Sequence, residues 1–242
     1  MKREHRVAGT IIGAVVGDAL GAPFEFGPPG AYGRLFPTDA RGVRTEMCGG
    51  GSLGWKPGEF TDDTQMALLL ASSIVERGGL DEADVFDRFR TWVAAGPPDV
   101  GNQTHSVLSS SRPWDVAADE HFARTGHAAG NGSLMRTTPA ALWFSPTGRG
   151  ATMDAARRIS ALTHGDPAAG EGCAIFHELV RVAPGRWRSA CCAACRVGRR
   201  CGGAPREVGG SPFADLAAPG CDRDELRRVA DPRIGGLGPS RG

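Results

Sequence analysis

The sequence predicts an all-α helical bundle followed by a tail of different composition. Three observations carry that expectation. Apolar residues recur at helical spacing through residues 6–183, strand-like alternation is scarce there, and the links between periodic segments are short. The length of 242 residues suits one domain with a sizeable core. Charge marks where that domain ends. Residues 1–183 carry 17 basic and 21 acidic side chains, whereas 184–242 carry 11 Arg, no Lys and 6 acids, so the net charge of +1 averages two unlike parts. Neither the sum nor the acidic first part gives a reason to expect nucleic acid as a partner.

Eight helices follow in order. The first, about Val7 to Leu20, sets Ile12, Val15, Val16, Ala19 and Leu20 at helical spacing and is closed by Gly21 and Pro23. Glycines at 9, 13, 17 and 21 line one of its faces, which predicts close approach of another helix or a ligand, since Gly otherwise costs a helix roughly 1 kcal/mol against Ala. A loop rich in Gly and Pro is expected from Gly27 to Gly58. The next helix starts at Thr61-Asp62-Asp63-Thr64, buries Met66, Leu69, Leu70 and Ile74, and stops at Gly78-Gly79. Asp81 caps a third, which buries Val85, Phe86, Phe89, Trp92 and Val93. Five more are expected at about 102–111, 114–125, 134–144, 151–162 and 168–182.

The last 59 residues hold 11 Gly, 6 Pro and five of the seven Cys, with only nine large apolar residues to offset the entropy of ordering them. They are expected not to fold. A reading-frame shift near Pro184 is the origin hypothesised for them, because misread GC-rich codons yield mainly Arg, Gly, Pro, Ala and Cys. Cys192, Cys195 and Cys201 resemble part of a zinc knuckle but lack a second paired half. Cys48 and Cys173, alone in the first part, fit a reduced protein and a cytoplasmic location. The longest apolar stretch, Val7 to Gly17, ends at Asp18, so no membrane span is expected, and Glu4 argues against a secretory signal.

Thr61-Asp62-Asp63-Thr64 has two readings. It is good capping chemistry, with two carboxylates on the positive end of a helix dipole. It is also a hydroxyl and two adjacent carboxylates suited to hard cations such as Mg²⁺ or Mn²⁺. Context comes from four further segments: Gly17-Asp18-Ala19-Leu20-Gly21-Ala22-Pro23-Phe24-Glu25, Asp99-Val100-Gly101-Asn102, Gly130-Asn131-Gly132-Ser133-Leu134-Met135-Arg136 and Thr163-His164-Gly165-Asp166-Pro167. In this order and spacing, over residues 6 to 183, the chain resembles the ADP-ribosylglycohydrolase family.

The resemblance implies an all-α fold and a binuclear Mg²⁺ or Mn²⁺ site, with Thr61, Asp62 and Asp63 as metal ligands and Asp18 as a brace. It assigns Glu25, Asp62 and Asp63 to catalysis, with Glu25 handling a proton or gating the site. Asp99, Asn102, Asn131, Gly132, Ser133 and His164 match substrate-binding positions. The implied substrate is an ADP-ribosylated protein or a small ADP-ribosyl compound, cleaved at the glycosidic bond of the distal ribose. Taken singly, Glu25 is equally a loop carboxylate, Asn131-Gly132 a turn and His164 a helix end.

One expected piece is missing. The family closes its metal site with a late Gly-Gly-Asp-Thr-Asp-Thr-like motif, and the nearest match, Cys221-Asp222-Arg223-Asp224-Glu225, lacks the glycines and the central Thr. Thr61, Asp62 and Asp63 offer at most five side-chain oxygens, and two octahedral ions need about twelve donor positions. Three functions are therefore weighed: an impaired hydrolase, an inactive ADP-ribose-binding remnant, and an interaction protein acting through its basic tail.

Overall fold

The computed structural model describes residues 3–39, 42–43 and 45–186. Within them the fold is all-α, as the periodicity requires. Helix α1 spans Arg3–Gly21, α2 Ala31–Leu35, α3 Asp62–Arg77, α4 Glu82–Ala94, α5 Asn102–Leu108, α6 Ala117–Thr125, α7 Thr138–Phe144, α8 Arg149–Ala161 and α9 Pro167–Arg186. The tail beyond Arg186, with Cys192, Cys195, Cys201 and Cys221-Asp222-Arg223-Asp224-Glu225, lies outside the described residues.

The helix ends obey local chemistry. Thr61 caps α3 by accepting from the Asp63 amide, and Gly78 ends that helix in a left-handed conformation at φ 74°. Asp81 caps α4 by accepting from the Asp84 amide at 3.0 Å. Side chains at helical spacing on α3 and α4 then meet: Met66, Leu70, Ile74, Val85, Phe86 and Phe89 form the core with Val107, Leu108, Ile159 and Leu162. A second apolar cluster joins Ala156 on α8 to Cys173 and Ala174 on α9.

Three expectations are corrected. The stretch from Gly27 to Gly58 is not all loop: it holds α2 and a two-residue antiparallel hairpin, β1 Thr38–Asp39 with β2 Gly42–Val43. An aromatic trio supports it, Phe24 and Phe36 lying 5.3 Å and 5.2 Å from the Tyr32 ring. Helix α7 starts at Thr138, not 134, because Asn131–Ser133 forms a 3-10 turn that continues as turns to the Thr138-Pro139 start. The glycine stripe of α1 meets nothing: a Cβ built at Gly9, Gly13, Gly17 or Gly21 has no neighbour within 4 Å among the described residues. The segment Arg3–Phe24 is also long and apolar enough, by length and composition alone, to cross a membrane, with mean hydropathy 1.6, a test that core helices of water-soluble proteins pass too.

Candidate active site

The site is built where α1 ends and α3 begins. Asp18, in the last turn of α1, aims its carboxylate at the free amides of the α3 N-terminus. Oδ2 accepts from the amides of Thr61 (3.0 Å) and Thr64 (3.1 Å) and from the Thr64 hydroxyl (2.6 Å). Oδ1 accepts from the Thr61 hydroxyl at 2.9 Å. Both oxygens are thus engaged in holding α3, and the Thr61 hydroxyl, its proton committed to Asp18, keeps a lone pair for another donor or a cation.

Carboxylates crowd around this junction. Burial, then the charges of Asp99, Asp63 and Glu25, push the Asp62 carboxyl up to about 7. Burial, then Asp18, Glu25 and Asp99, raise Asp63 to about 6. Glu25 is raised by burial and by Asp99 and Asp18, and Asp99 by burial and by Asp18. Four carboxyls held above their ordinary range, by burial first and by mutual repulsion second, make a locus of crowded acidic groups. Asp99 Oδ2 is buried there without a hydrogen-bond partner.

Loop geometry places Glu25. It follows the 3-10 turn Ala22–Phe24 and precedes Phe26, which adopts φ 60°, a left-handed conformation costly for a residue with a Cβ. The neighbouring loop presses on the same turn: a Cβ on Gly51, at φ 76°, would lie 2.6 Å from the Pro23 carbonyl oxygen, so only glycine fits.

The second wall is the turn at residues 130–133, laid over the start of α5. Asn102 and Asn131 are exposed, and a Cβ on Gly132 would stand 2.9 Å from Thr104 Oγ1 and 3.2 Å from His164 Cε1. Gln103 clamps this wall by donating to the carbonyls of Ala128 (3.1 Å) and Thr163 (3.0 Å). One expected substrate contact points elsewhere by its side chain. Ser133 is buried, accepting from the Ser160 hydroxyl at 2.9 Å and lying 3.4 Å from Cys173 Sγ, so its side chain serves the core. His164 is buried beneath the turn, with Nδ1 2.8 Å from Thr163 Oγ1.

Sequence reasoning quoted Arg136 without giving it a role. It is wholly buried, its guanidinium 4.6 Å over the Phe89 ring, with burial lowering it to about 10 and attraction to Cys173 and Asp62 opposing that shift. A cation inside an otherwise apolar helical run was the available signal.

The donor set fits a divalent cation in kind and not in number. Thr61, Asp62 and Asp63 offer hard oxygens in a negative field, yet no group of three or more His, Cys, Asp or Glu among the described residues is placed to hold a metal ion. The described residues do not close a site for two ions.

The all-α bundle thus gathers carboxylates at one helix start, beside a glycine turn set over another. The family model for ADP-ribosylglycohydrolase matches residues 1–226, and the chain belongs to that family. Over 190 residues it is 35% identical to the ADP-ribosyl-[dinitrogen reductase] glycohydrolase of Rhodospirillum rubrum, covering 78% of this chain and 61% of that protein. It is 32% identical over 145 residues to the ADP-ribosylarginine hydrolase Tri1 of Pseudomonas putida (strain GB-1), covering 57% of this chain and 36% of that one. A solved ADP-ribosylglycohydrolase-related protein complex superposes with a TM-score of 0.57 at 36% identity, over 75% of this chain and 57% of the other. The chain spans about three fifths, or less, of the length of these relatives.

Proposed function

We propose that this chain binds an ADP-ribosyl group and hydrolyses the glycosidic bond joining it to a modified protein side chain or a small ADP-ribosyl compound. The observation that carries the reading is the cluster of raised carboxyls at the start of α3, in a chain of this family. Thr61, Asp62 and Asp63 would hold Mg²⁺ or Mn²⁺, which when bound supplies Lewis acidity toward a ribose hydroxyl or a water. Glu25, exposed at the loop and raised above its ordinary range by partial burial and by Asp99 and Asp18, accepts or relays a proton as positive charge develops at the anomeric carbon. Asp99 and Asn102 meet the distal ribose or the modified side chain. Asn131 and Gly132 offer the pyrophosphate an uncharged turn with amide donors. The free thiols of Cys48 and Cys173 support a cytoplasmic setting.

The shortfall of donors among the described residues favours weak turnover, and it equally supports a second reading, an inactive remnant that binds ADP-ribose without cleaving it. Incubation with Mg²⁺ and an ADP-ribosylarginine substrate distinguishes them. Slow release of ADP-ribose that stops in Asp62→Asn supports the hydrolase, and binding of ADP-ribose by calorimetry without any release supports the remnant. Turnover equal to that of the Rhodospirillum rubrum relative overturns the impairment.

A further inference from the structure

Behind the turn at 130–132 runs a line of buried donors and acceptors that no step above has used. Arg136, with no exposed surface, sends Nη2 to the Ile159 carbonyl oxygen (3.2 Å) and to Thr163 Oγ1 (2.8 Å). Thr163, also buried, lies 2.8 Å from His164 Nδ1. Guanidinium nitrogens only donate, so Thr163 Oγ1 is an acceptor toward Arg136, and its single proton is free for His164. The opposite order, with His164 Nδ1–H donating to Thr163, leaves the Thr163 hydroxyl proton without an acceptor among the described hydrogen bonds, inside the protein, where that is costly. The Arg136 charge adds to the effect by disfavouring a second proton on the imidazole. Burial, then Arg136, then His121 hold His164 down at about 3, so the ring is neutral at any working pH.

We infer that Arg136 and Thr163 are positioning residues that fix His164 as the neutral tautomer protonated on Nε2, turning that N–H toward the Gly130–Gly132 turn. The ring edge borders the turn: a Cβ on Gly130 would lie 3.6 Å from Nε2, and one on Gly132 3.4 Å from it. No protein acceptor for Nε2 occurs among the described hydrogen bonds. The ligand chemistry it suits is an oxygen acceptor, phosphate or ribose hydroxyl, held without any change of protein charge between about pH 5 and 8. That this acceptor belongs to an ADP-ribosyl group rests on the function proposed above; the order of protons does not.

Proton–nitrogen correlation spectra of the full chain, labelled at histidine and assigned with His164→Gln, test the order directly. The expected result is a neutral ring with its proton on Nε2, unchanged between about pH 6 and 8, kept in Thr163→Ser and lost in Thr163→Val. A proton on Nδ1, a charged ring in that range, or a pattern indifferent to Thr163→Val overturns the inference. The wild-type spectrum decides the tautomer alone, so a poorly folded variant does not shield the inference. Calorimetry with ADP-ribose then separates it from the functional reading. Binding on the order of tenfold weaker in Thr163→Val and restored in Thr163→Ser links the tautomer to the ligand, and equal affinity breaks that link. No binding by the wild type sinks the proposed function while the tautomer stands.

Discussion

Helices α3 and α4 are finished, and α1 and α9 are not. Met66 and Leu70 on α3 and Phe89 on α4 are wholly buried, whereas Ile12 on α1 is 58% exposed and Ile175 and Leu179 on α9 are 58% and 59% exposed. Both regions carry helical apolar patterns of the same kind. What differs is the neighbour: α3 and α4 face each other and α5, α7 and α8, while the outer sides of α1 and α9 face nothing among the described residues. An amphipathic pattern therefore secures a helix but not its burial, and most helical stability comes from the burial. The candidate site lies on the seam between the two regions, where Asp18 of α1 holds the start of α3.

The largest effect that tests this contrast is in the core. Phe89→Ala removes a buried ring and the surface on which the Arg136 guanidinium rests, and is expected to cost about 3–5 kcal/mol. Ile12→Ala should stay within about 0.5 kcal/mol. Urea unfolding of both variants measures the gap. Comparable losses would mean that α1 is buried after all.

A smaller effect is expected at the seam. Asp18→Asn leaves one acceptor oxygen where two now serve Thr61 and Thr64, and removes a negative charge from the α3 N-terminus, at a cost of about 1–3 kcal/mol. Relief of repulsion on Asp63, Glu25 and Asp99 works the other way. The hydrogen bonds win because they are short and partly buried, whereas the repulsion is spread over longer range. A variant with an unchanged urea midpoint would show that α1 does not hold α3.

The eight helices expected from periodicity are all present, and the α3 cap and stop fall where Thr61 and Gly78 place them. Helix α2 and the hairpin were illegible because five residues are little more than one helical turn and two residues show no repeat, and α2 is held by aromatic contacts. Of the site, the carboxylates could be read because each sits in a distinctive short segment. The inward turn of Ser133 and the support of His164 by Thr163 and Arg136 could not, since both depend on which side of a 3-10 turn meets α8 and α9. The glycine stripe shows the limit most plainly. Its spacing described a face and said nothing about what, if anything, lies against it.

That face offers the finest test of the contrast. Each helical Gly loses more conformational entropy than Ala on folding, and the backbone at Gly9 and Gly13 is helical with open space where a Cβ would stand. Gly9→Ala and Gly13→Ala should therefore each stabilise the protein, by about 0.5–1 kcal/mol, with nearly additive effects in the double variant. The sign carries the information. A helix packed on the stripe, whether from a second copy or from residues beyond Arg186, would meet the new methyls at the closest point of approach, and both variants would then lose stability. Stabilisation in dilute protein that turns to destabilisation as concentration rises would identify the second copy. Destabilisation at every concentration, abolished by deleting residues 187–242, would identify this chain's own remaining segment.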